Sequence, residues 1–90
     1  MKLAEKVAIV TGSSRGIGKA TAKLFVEEGA NVTITGKDSK KLQDTAKEIG
    51  SVFSVPGDIR SESDVQNVVR KTIEKFGKID ILVNNAGIFP

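Results

Sequence analysis

Val7-Ala8-Ile9-Val10-Thr11-Gly12-Ser13-Ser14-Arg15-Gly16-Ile17-Gly18 is the stretch on which the fold turns. Four consecutive apolar residues, with Lys6 before them and Thr11-Gly12 after them, read as a short buried strand. Beyond the glycines, Ile17, Ala20, Leu24 and Phe25 recur at helical spacing, and Gly29 stands where a helix stops. The chain therefore opens with a strand, a glycine-rich turn and a helix.

The same alternation continues outward from that turn. Val32 and Ile34 alternate with Thr33 and Thr35, which predicts a second strand. Leu42, Ala46 and Ile49 give a second helix closed by Gly50. Val52, Phe53 and Val55 give a third strand ended by Pro56-Gly57. Val65, Val68, Val69, Thr72, Ile73 and Phe76 form the strongest helical stripe. Ser63 and Gln66 have capping-box spacing at its start, and Gly77 lies at its end. Ile79, Ile81, Leu82 and Val83 predict a fourth strand. The order β-α-β-α-β-α-β demands a parallel sheet with right-handed crossovers. That fixes the strand order as 3-2-1-4, with the first two helices on one face and the third on the other.

Composition narrows the chemistry. The 90 residues form one domain at most, with 39% hydrophobic and 28% charged residues, a balance suited to a globular chain. There is no Cys, so disulfides and thiolate metal sites are excluded. There is no His, the commonest metal ligand and general base, and there is neither Tyr nor Trp. No apolar run is long enough to span a membrane, and the N-terminus lacks a signal-peptide core, so a cytoplasmic protein is expected. The net charge of +3 is spread along the chain among acids, and the four aromatic residues offer little stacking surface. This favours a solvated surface over nucleic-acid binding.

The nine glycines fall into two groups. Gly29, Gly50 and Gly77 are helix stops. Gly12, Gly16, Gly18, Gly36, Gly57 and Gly87 follow strands or enter helices, on the edge where an open parallel sheet binds ligands. Gly12 permits the tight turn, Gly16 lets backbone approach a phosphate, and Gly18 allows close helix–sheet packing. The N–H groups of the first helical turn then face an anion. A phosphate-binding loop of the nucleotide-hydrolase type fits less well. Gly18-Lys19 matches its middle, but Ser13 stands where its first Gly belongs and Ala20 where its hydroxyl belongs.

Three motifs carry a family resemblance. Thr11-Gly12-Ser13-Ser14-Arg15-Gly16-Ile17-Gly18 resembles the cofactor loop of the short-chain dehydrogenase/reductase family in its Thr-Gly-x3-Gly-Ile-Gly form. Asp58 follows the third strand, where that family places its adenine-binding Asp. Asn84-Asn85-Ala86-Gly87 follows the fourth, like its second motif. Together with Ile88, these segments are most similar to those of 3-oxoacyl-[acyl-carrier-protein] reductases and related sugar dehydrogenases. The resemblance implies the cofactor-binding part of a Rossmann fold over residues 1–90. It implies dinucleotide contacts from Gly12, Ser14, Arg15, Gly16, Ile17, Gly18, Asp58, Ile59, Asn85, Ala86 and Gly87. Asp58 would accept from the adenine amino group with the Ile59 backbone alongside. The bland alternative for Asp58 is a helix cap ahead of Ser61.

The position that discriminates between dinucleotides falls on Gly36, which carries no carboxylate. Lys37 and Arg15 would converge on a 2′-phosphate, so NADP is expected in preference to NAD. Asp38 argues the other way if it grips the ribose, and otherwise it caps the second helix.

The family's chemistry is hydride transfer between nicotinamide and a carbonyl or alcohol. It uses Ser and Tyr-x3-Lys from segments after the fourth strand. With no Tyr in the chain, that motif is absent from these 90 residues, and no catalytic residue is carried over. A Rossmann fold truncated after its fourth strand would leave Ile81, Leu82 and Val83 as an apolar edge. Low stability alone, self-association or a complementing polypeptide is the expectation there.

Overall fold

The computed structural model describes residues 2–12 and 16–84. The elements run β1 (Val7–Thr11), α1 (Gly16–Glu27), β2 (Asn31–Thr35), α2 (Ser39–Ile49), β3 (Val52–Ser54), α3 (Glu62–Phe76) and β4 (Ile81–Asn84). The four strands form one parallel sheet in the order β3-β2-β1-β4, the α/β partial Rossmann arrangement expected from the crossovers. In register, Val7 to Thr11 face Asn31 to Thr35 on one side. Ala8 to Thr11 face Ile81 to Asn84 on the other.

Alternation along the strands sorts side chains between two layers. Val10, Val32 and Ile34 point to the α1 and α2 face, where they cluster with Ala22, Ala30 and Leu42. Ile9 points the other way and clusters with Val55 and Val68, with Phe53 and Ile79 against them. Thr33 is buried as well, and the Thr72 hydroxyl of α3 donates to its oxygen at 3.0 Å. The buried oxygen therefore has a partner, and α3 is keyed to β2. Phe53 and Phe76 meet edge to face at 6.1 Å between centroids.

The helix stripes are rotated from their expected positions. On α1 the buried residues are Gly18 and Ala22, backed by Phe25 and Val26, whereas Ile17 and Leu24 are exposed. The small side chains face the sheet and let the helix lie close, which turns the bulky ones outward. On α3 only Val68 and Thr72 are fully covered, and Val65, Val69 and Ile73 are exposed along one flank. The expected cap at Ser63 is also corrected. Ser61 is the N-cap, accepting from the Asp64 N–H at 3.3 Å, and Gln66 donates instead to Glu62. The helix begins one residue before Ser63, so Ser63 already lies inside its first turn. At the other ends, Gly50 and Gly77 terminate α2 and α3 with φ of 100° and 89°.

β4 begins at Ile81 rather than Ile79. Asp80 precedes it, donating its N–H to Val7 O and accepting the Val7 N–H on its carboxylate at 2.9 Å. That hydrogen bond holds the Asp80 carboxyl below its ordinary range, with further help from Lys78 at 3.2 Å. Leu82 is 65% exposed on the outer edge. No helix among the described residues is long and apolar enough to cross a membrane.

Candidate functional site

Parallel strands deliver all their C-terminal ends to one edge, and the described residues among those singled out by sequence follow those strand ends. Gly12 leaves β1 with φ 63°. Gly16 opens α1 with φ 59°, a conformation that side chains other than Gly rarely adopt. A Cβ built on Gly16 would meet nothing within 4 Å, so it is the positive φ rather than crowding that favours Gly there. The first turn of α1, Gly16 to Lys19, contains no carboxylate, and Gly18 is buried against the sheet. An anion at that helix start would meet unpaired N–H groups and the positive end of the dipole. Ile17 lies exposed beside them.

The connection after β3 is held from two sides. Gly57 donates its N–H to Gly36 O at 3.0 Å, tying the loop to the end of β2. A Cβ on Gly57 would lie 3.3 Å from Val68 Cγ2 and 3.5 Å from both Asp64 Cβ and Thr35 Oγ1, so a side chain there would require Val68 to give by a few tenths of an ångström. Asp58 follows. Its carboxylate accepts from the Arg60 N–H at 2.9 Å, from Arg60 Nε at 3.2 Å and from the Arg60 terminal nitrogen at 3.0 Å. These bonds lower the Asp58 pKa to about 2, with a smaller push from the charge of Lys37. Asp58 is thus an acceptor ionised at neutral pH rather than the cap of α3, because Ser61 fills that role.

Behind Asp58 and Ile59 a cavity of about 80 Å³ opens between α3 and the ends of β1, β2 and β4. Its walls include Ile9, Val65, Val69 and Leu82. Thr35 Oγ1 is buried at its floor without a hydrogen-bond partner among the described residues. Asn84 closes the edge from β4, its Oδ1 accepting from the Thr11 hydroxyl at 3.1 Å. Lys37 and Asp38 are both exposed past β2, and Asp38 caps α2 by accepting the Lys41 N–H at 3.1 Å. Ser14, Arg15, Asn85, Ala86 and Gly87 lie outside the described residues.

The edge suits a dinucleotide. Among the described residues it offers a carboxylate-free helix start after Gly12, and an ionised acceptor with an apolar recess beside it. Sequence reasoning passed over two contributors, Asp64 and Thr35. Asp64 had a visible signal, since Ser61 and Asp64 have capping-box spacing of their own. Thr35 had none, because its isolation depends on what α3 leaves uncovered.

A profile of the family described as "short chain dehydrogenase" matches residues 6–90. Among solved structures, the chain is 48% identical to a glucose dehydrogenase of Caenorhabditis elegans in its apo-form. The TM-score is 0.91, covering 99% of this chain and 40% of that one. It is 41% identical to a 3-ketoacyl-(acyl-carrier-protein) reductase from Brucella melitensis complexed with NADH. There the TM-score is 0.84, covering 89% of this chain and 33% of that one. Among curated proteins, L-fucose dehydrogenase of Mus musculus is 42% identical over 85 residues, covering 94% of this chain and 31% of the relative. The chain spans about a third of the length of the curated relatives it matches.

These relatives correct the expectation of NADP over NAD, since the Brucella melitensis reductase is complexed with NADH. The geometry supplies the physical reason. Lys37 acts on the Asp58 carboxylate, Arg60 is paired with it, and Asp38 stands one residue beyond Lys37. The described cations are thus matched by carboxylates, which removes the excess positive charge on which the NADP expectation rests.

Proposed function

This chain belongs to the short chain dehydrogenase family, as its N-terminal Rossmann region, and on that premise we propose that it is the NAD(H)-binding part of an oxidoreductase. The observation that carries this is one sheet edge bearing both a helix start at Gly16 with no carboxylate in its first turn and a fixed carboxylate at Asp58. Gly12, Ser14, Arg15, Gly16, Ile17 and Gly18 hold the pyrophosphate. Asp58 and Ile59 hold the adenine, and Asn85, Ala86 and Gly87 line the crevice. Asp38, the first carboxylate after β2, accepts from the ribose hydroxyls.

When bound, the dinucleotide supplies the hydride exchanged with a carbonyl or alcohol. A 3-oxoacyl thioester is the substrate class we carry forward, supported by the identity to the 3-ketoacyl reductase. The glucose dehydrogenase is more similar and the fucose dehydrogenase about equally so, and they keep sugars as the competing class. Residues 1–90 contain no Tyr, so the chain's own part is to bind and orient the dinucleotide rather than to move its proton. The exposed Leu82 edge supports a second element of the proposal, a polypeptide or second copy that continues the sheet beside β4.

Calorimetric titration with NADH and NADPH tests the first element. Saturable NADH binding, tighter than that of NADPH and abolished by Gly16→Val, is expected. Absence of saturable NADH binding overturns it.

A further inference from the structure

The loop that presents Asp58 is held by a residue outside the glycine turn and outside the loop itself. Asp64 lies at the third position of α3, three residues after the Ser61 cap. A carboxylate at that position ordinarily reaches back to the N–H of the capping residue. Here the Ser61 N–H is already taken by Asp58 O at 2.8 Å. The Asp64 carboxylate instead reaches past the cap and accepts the Asp58 N–H at 2.8 Å, in a half-buried setting. Asp58 is therefore pinned at its N–H by Asp64, at its carbonyl by Ser61 and at its carboxylate by Arg60.

We propose that Asp64 is a positioning residue that sets the base specificity of the nucleotide site, by indexing the Asp58 main chain to α3 so that the Asp58 carboxylate meets the amino group of adenine. The proposal rests on the reading of Asp58 given above. The bond from Asp64 is made to an N–H of the loop rather than to the nucleotide, so its effect passes through Asp58. A charge-assisted hydrogen bond from the amino group is worth on the order of tenfold or more in affinity. The hypoxanthine analogue of NADH puts a carbonyl oxygen where that amino group stands, and so reports the bond directly.

The test measures binding of NADH and of reduced nicotinamide hypoxanthine dinucleotide to the chain and to its Asp64→Ala and Asp64→Asn variants. Amide hydrogen exchange at Asp58 is followed in parallel. The unsubstituted chain is expected to prefer adenine by about tenfold or more. Asp64→Ala should bring that preference to within about twofold of unity and speed exchange of the Asp58 amide by roughly tenfold. Asp64→Asn keeps an acceptor without the charge, and should restore most of both. General weakening of α3 would lower both affinities together and leave their ratio intact, so an unchanged ratio in a folded Asp64→Ala variant overturns the role of Asp64. Lack of any adenine preference in the unsubstituted chain overturns the reading of Asp58 instead.

Discussion

On the side of α1 and α2, the apolar faces of β1 and β2 are sealed, with Val10, Val32, Ile34 and Leu42 all fully buried. On the side of α3 the same strands present Ile9, Thr33 and Thr35, and one helix covers them only in part. Thr33 finds Thr72, whereas Thr35, two residues on, faces the cavity. Two helices close their face around a sealed apolar cluster. One helix must use hydroxyl and aromatic contacts to stay in register, and it leaves room at the ligand edge. The recess beside Asp58 is a product of that incomplete cover.

The contrast predicts unequal penalties. Leu42→Ala should cost about 2–5 kcal/mol in a urea melt, because its site is enclosed on all sides. A like-for-like pair is sharper. Val32→Ala should cost about 1.5–3 kcal/mol, and Val68→Ala only about 1 kcal/mol, since Val68 already borders an open cavity. Equal losses for the two valines would break the comparison.

A smaller effect is expected in acid. The folded pKa of Asp80 is depressed, so the stability it lends is complete above its unfolded pKa of about 4. It fades as pH falls through the lower folded value. Asp58 acts in the same window, down to about 2. Asp80→Asn should therefore flatten part of the stability-versus-pH curve below about pH 4, and an unaltered curve would remove Asp80 from the account. The smallest change belongs to the outer edge. Leu82→Gln should alter stability by less than about 0.5 kcal/mol, yet reduce self-association in sedimentation if this edge recruits a second copy.

Much of this was legible before any coordinates. Glycine positions and apolar periods located every element, and the crossover rule ordered the strands. Asp38 as a cap is one of the two roles its position offers, and Asp58 at the ligand edge comes from the family resemblance. Helix rotation did not follow. The periodicity of α1 names Ile17 and Leu24 as readily as Gly18 and Ala22, and only contact with the sheet selects the small pair. The cap of α3 was misplaced because Ser61 and Ser63 both have plausible partners three residues on. The cofactor preference was misread by weighing Lys37 without its neighbours. Its charge acts on Asp58, a partner brought near only when β3 lies beside β2.

The pairing of β1 with β4 also sets the order of assembly. β2 returns to β1 after a single helix, while the bond from Val7 to Asp80 spans 73 positions. Closing so long a loop is entropically slower than closing the short one. As the chain is synthesised, β1 can gather β2 and then β3 while its opposite flank waits for α3 to emerge. β4 is thus the last of these four strands to pair, and its amides should open to solvent before those of β1 and β2.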